Sequence, residues 1–96
     1  MKLKLFNKKF PFSAAPDTMC FTCCHVQNDN KPILYISHDE DGYWQFLCGK
    51  NHTENEARMV SLAEILEIDK SVAKFADLKL GEYAENCNCS WIIGKH

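Results

Sequence analysis

What this sequence has little of narrows it first. No stretch approaches the ~20 apolar residues that a membrane-spanning helix needs. The four glycines among the 96 residues, Gly42, Gly49, Gly81 and Gly94, stand apart, so no glycine-rich loop is present to cradle a phosphate. HExxH, GxSxG and paired-carboxylate arrangements are missing, which leaves no recognisable catalytic set. Residues 1–12 begin with positive charge, but Lys8 and Lys9 interrupt the apolar stretch that a secretory signal requires. Repeats and low-complexity tracts are also lacking. These absences lead us to expect a non-enzymatic, cytoplasmic chain with no membrane partner.

What is present fits one small domain. The length supports one sheet and one or two helices rather than a cleft between domains. The 46% hydrophobic and 25% charged fractions are ordinary for a globular protein. The formal charge of −2 is unevenly spread. Lys2, Lys4, Lys8 and Lys9 are four of the eleven basic residues, so the remaining seven face thirteen acidic ones, a balance of −6. An acidic body repels phosphate, which argues against nucleic acid and for a basic protein partner.

Along the chain, residues 1–16 read as a basic N-terminal extension, with a short edge strand at Leu3 and Leu5 and a linker between Pro11 and Pro16. Residues 17–96 form the domain. Thr18–Val26 alternates like a strand, with Met19, Phe21, Cys23 and His25 on one side and Cys20, Thr22, Cys24 and Val26 on the other. Residues 33–48 predict a β-hairpin turning at Asp41-Gly42, because glycine tolerates the positive φ of a tight turn. Trp44, Phe46 and Cys48 should face the core. Residues 57–60 are a strand candidate. Ser61 with Glu64 three residues later matches a capping box, followed by an apolar stripe at Leu62, Ile65 and Leu66. Asp69 caps a second helical segment carrying Val72, Phe75 and Ala76, and Gly81 ends that region. Residues 83–89 or 90–93 supply a last strand. The expected fold is α+β: an antiparallel sheet of four to five strands with one or two short helices packed on one face.

The six cysteines carry most of the chemistry on offer. In a reducing compartment they are thiols or metal ligands rather than disulfides. Cys20-x-x-Cys23, Cys48-x-x-x-His52 and Cys87-x-Cys89 have ligand-like spacing. Zinc takes four thiolate or imidazole donors in a tetrahedron, which makes Cys20, Cys23, Cys48 and His52 the candidate set. Geometry opposes that set, since residues three apart on a strand point to opposite faces. Buried thiols packed as small hydrophobes are therefore the leading reading, zinc the alternative, and redox chemistry the third. Cys87 and Cys89, among polar neighbours, are expected at the surface. His25, His38 and His52 read as surface or strand-end histidines. No third group orients a cysteine–histidine pair for nucleophilic catalysis.

Two further features bear on partners. The acidic turn Asp39, Glu40, Asp41 fails the EF-hand pattern, because Cys48 occupies the position where a glutamate is needed. It reads as solvated turn charge or as a docking surface for a basic partner. Trp91 is either a core plug or part of a surface buried in a homodimer or against a partner.

The order Asp41-Gly42-x-Trp44-x-Phe46-x-x-Gly49, then Val60-Ser61-Leu62-x-x-Ile65-x-x-x-Asp69, then Asp77-x-x-x-Gly81 resembles a family of small bacterial proteins long labelled a domain of unknown function and grouped with immunity proteins of bacterial toxin systems. The resemblance covers roughly residues 18–93. It departs from the family at Lys70, where proline is common, and at Glu85-Asn86, where an arginine is common. It implies an α+β fold and a protein-binding, immunity-like role against a basic toxin domain. It brings no catalytic residue and no cofactor.

Overall fold

The structure, a computed structural model, describes residues 10–49 and 54–96. The strand expected at Leu3 and Leu5 lies outside the described residues. The described residues form six strands: β1 (Met19–Cys23), β2 (Tyr35–His38), β3 (Trp44–Leu47), β4 (Ala57–Ser61), β5 (Glu82–Cys87) and β6 (Ser90–Lys95). Two α-helices, α1 (Cys24–Asn28) and α2 (Leu62–Ile68), and 3-10 segments over Glu54–Glu56 and Lys70–Phe75 complete the α+β domain.

The sheet has the order β4-β1-β3-β2-β5-β6. It is mixed and six-stranded, where an antiparallel sheet of four to five strands was expected. Chain reversals explain the difference. The β2–β3 hairpin occupies one edge of β3, and β5 takes the free edge of β2, so β1 is left with the other edge of β3. The chain reverses once after β1 and again between β2 and β3, which makes β1 and β3 parallel. Both C-terminal segments become strands because they pair with each other, from Glu82–Lys95 to Cys87–Ser90.

The hairpin forms as expected. Tyr35 to His38 pair with Leu47 to Trp44, and the turn closes through Gly42 N donating to Asp39 O at 2.9 Å. Gly42 has φ +95, a conformation that a side chain would strain. Trp44, Phe46 and Cys48 are buried on the inner face with Ile36, Cys20 and Ala84. The ring of Phe12 meets Trp44 edge-on at 5.0 Å and is itself buried. His38 stacks on the Trp44 ring at 4.0 Å, and its Nδ1 donates to the Leu78 carbonyl at 2.8 Å.

The helical layer covers this face as the apolar spacing requires. Ser61 Oγ accepts from Glu64 N at 3.1 Å and starts α2, whose Leu62 and Ile65 are buried. Asp69 Oδ1 accepts from Ser71 N at 3.0 Å and starts the next turn, with Val72 and Phe75 buried. That turn is 3-10 rather than α, so Val72 and Phe75, three residues apart, lie on one side of it. Each such side chain contributes about 1.5–3 kcal/mol on burial.

One expected element changes type. The strand read over Thr18–Val26 ends at Cys23, and Cys24 opens α1. The short helix buries Val26 and ends β1 between its neighbours β4 and β3. It also decides the position of His25.

Candidate metal centre

The geometry of the sheet places the site. β1 and β4 pair antiparallel through Cys23 and Ala57, so continuing one residue sets Cys24 opposite Glu56. β1 and β3 run parallel with Phe21 beside Gln45, so continuing three residues sets Cys24 level with Cys48. Neighbouring ends of β1, β3 and β4 therefore bring residues 23–24, 48 and 56 together at one end of the sheet. There α1 begins, and its first turn carries His25 back over them.

Two donor groups result. The atoms of Cys23, His25 and Cys48 lie within 4.8 Å of one another. Those of Cys24, His25 and Glu56 do too. His25 Nδ1 is 3.7 Å from Cys48 Sγ, and its Nε2 is 3.4 Å from a Glu56 carboxylate oxygen. The inner pair, Cys23 and Cys48, is buried, whereas Cys24, His25 and Glu56 are partly open to solvent. The imidazole thus stands between a buried thiol pair and a more open thiol–carboxylate pair.

The expected zinc set of Cys20, Cys23, Cys48 and His52 is only partly assembled. Cys23 and Cys48 meet. Cys20 joins no such group among the described residues, and His52 lies outside them. Cys20 sits in the middle of β1, fully buried, and burial followed by the nearby Glu64 charge pushes its thiol up to about 12. A thiol so hard to ionise makes a poor ligand and a poor nucleophile. The missed members are His25, Cys24 and Glu56. Cys23-x-His25 spacing was the available signal for His25, since strand alternation already put the two on one side; its approach to Cys48 is set by the helix at Cys24 and by strand pairing.

The other singled-out residues go elsewhere. Asp39 turns inward, accepting hydrogen bonds from the Ser37 hydroxyl and from Gln45 Nε2, the latter at 2.7 Å. Asp41 Oδ1 accepts from the Tyr43 amide at 3.1 Å, and Glu40 lies along Gly81. Of the three acidic residues at the tip, Glu40 and Asp41 are exposed and Asp39 is half-buried. Trp91 is half-buried against Phe75, with ring centroids 4.6 Å apart. Cys87 and Cys89 are exposed at the β5–β6 turn.

No family model, curated protein or solved structure matches this chain. Among the described residues, no helix is long and apolar enough to cross a membrane.

Proposed function

We propose that the chain is a metal-binding domain in which Cys23, His25 and Cys48 hold a thiophilic divalent ion, with zinc as the best-suited metal. One observation carries this reading: three soft donors from β1, α1 and the end of β3 converge within 4.8 Å. Zn–S bonds of about 2.3 Å and Zn–N bonds of about 2.0–2.1 Å at a tetrahedral angle put sulfur and nitrogen about 3.6 Å apart. The Nδ1–Sγ separation of 3.7 Å meets that span with little movement. The ion would cross-link the ends of β1 and β3 to the first turn of α1, and both cysteines would give up their protons on binding. His52, four residues after Cys48 in sequence, is a fourth-ligand candidate on spacing alone.

Elemental analysis of protein purified without chelator tests the reading, with Cys48→Ser as control. Close to one equivalent of zinc or more in the parent and little in the variant is expected. Less than about a tenth of an equivalent in the parent after zinc reconstitution sinks it.

A protein-binding, immunity-like role is the second reading. It rests on the resemblance of the hairpin and α2 segments, and on edge strand β6, where Ile92 and Ile93 are 54% and 59% exposed. The exposed Glu40 and Asp41 suit a basic partner. Co-purification with a basic toxin domain encoded beside this chain tests it, and no retention removes its support.

A further inference from the structure

The outer donors, Cys24 and Glu56, have no part in the inner site, yet they face its histidine from the other side. Building on the metal-binding reading, we propose that Cys24, Glu56 and the Nε2 of His25 form a second divalent-cation site, so that one imidazole bridges two ions.

The distances suit an ion between the ring and the carboxylate. A charge-assisted N–H···O bond spans about 2.7–2.9 Å. The Nε2–Glu56 separation is 3.4 Å, longer than such a bond. A tetrahedral ion with nitrogen and carboxylate oxygen at about 2.0–2.2 Å separates them by about 3.4 Å. The same ring therefore meets the ion-sized span on both sides, 3.7 Å to sulfur and 3.4 Å to oxygen. Cys24 completes the outer group, all of whose donor atoms lie within 4.8 Å of one another.

The two sides differ in character. The inner ion faces two buried thiols and suits a soft metal held tightly. The outer one has one thiol and one carboxylate, with side-chain exposures of 25% for His25 and 34% for Glu56. It should bind more weakly, exchange faster and accept water as a remaining ligand. Filling the inner site displaces the thiol protons of Cys23 and Cys48. Filling the outer site displaces the Cys24 proton and the remaining ring N–H proton, which leaves an imidazolate between the ions.

Titration of the full reduced chain with cobalt(II) chloride, followed by sulfur-to-metal charge transfer and by equilibrium dialysis, tests the proposal. Two equivalents are expected in the parent chain and in Cys87→Ser/Cys89→Ser, which removes the exposed turn thiols. Cys24→Ser and Glu56→Gln should each keep the first equivalent and lose the second, with Glu56→Asp restoring it. A parent chain that saturates at one equivalent overturns the proposal and leaves Glu56 as a hydrogen-bond acceptor for the ring. Two equivalents retained in both outer variants also overturn it. No binding in the parent rejects the metal-binding reading itself. Far-UV circular dichroism on each variant separates lost ligation from lost folding.

Discussion

Replacing Cys48 by serine should abolish most of the stability that zinc confers. Cys48 lies at the end of β3, Cys23 at the end of β1 and His25 in the first turn of α1, so an ion among them ties together three elements. Because the donors are already gathered, little folding energy is spent on rearranging them. At free zinc one hundred times the dissociation constant, binding to the native state alone adds about 2.7 kcal/mol. For a domain of this size each kcal/mol moves Tm by about 4–8 °C, which gives a rise of roughly 10–20 °C. Serine is no thiolate, so in Cys48→Ser the rise at the same free zinc should shrink to a few degrees. Cys87→Ser, altered at an exposed turn and in neither donor group, should keep the full rise. Differential scanning calorimetry in a reducing, zinc-buffered solution measures all three, with a chelator restoring each baseline. An equal rise in the parent and in Cys48→Ser would refute the argument, since stabilisation would then not pass through this thiol. So would a parent chain whose Tm ignores zinc.

Thr22→Val should destabilise by about 1–2 kcal/mol in urea unfolding, because the buried Thr22 hydroxyl donates to the Phe46 carbonyl at 2.6 Å and valine keeps the shape but not the bond. Cys20 predicts an alkaline transition: its thiol is raised from 9.0 to about 12, so the stability it contributes is complete below about pH 9 and is lost as pH climbs toward 12. The full loss is about 4 kcal/mol, and Cys20→Ala should flatten the fall between pH 9 and 11 whatever its effect at neutral pH. Cys89→Gly should stabilise by about 0.5–1 kcal/mol, since Asn88 and Cys89 sit at φ 53 and 68 in the β5–β6 turn, where glycine carries no side-chain strain. A lower Tm for that variant would contradict it.

Local chemistry was legible wherever a residue's neighbours in sequence decide its conformation. Asp41-Gly42 specified the hairpin, because only a residue without a side chain takes Gly42's φ at no cost. Ser61 and Asp69 specified their helical starts, because a cap bonds an amide two or three residues away. The inward set of Trp44, Phe46 and Cys48 followed from strand alternation. Strand Thr18–Val26 was legible only to Cys23. Its apolar pattern does not distinguish a strand that continues from one that breaks into a single helical turn over Val26.

By itself, then, the sequence determined the turns, the caps, the apolar faces and the stock of thiol and imidazole donors. The tertiary structure decided which donors meet. Parallel pairing of β1 with β3, and antiparallel pairing of β1 with β4, join residues 24, 48 and 56, whose separations in sequence carry no periodic signal. The same pairing leaves Cys20 buried in mid-strand, away from the ligands its spacing suggested. Strand register depends on the whole sheet finding its edges, and no local pattern encodes it.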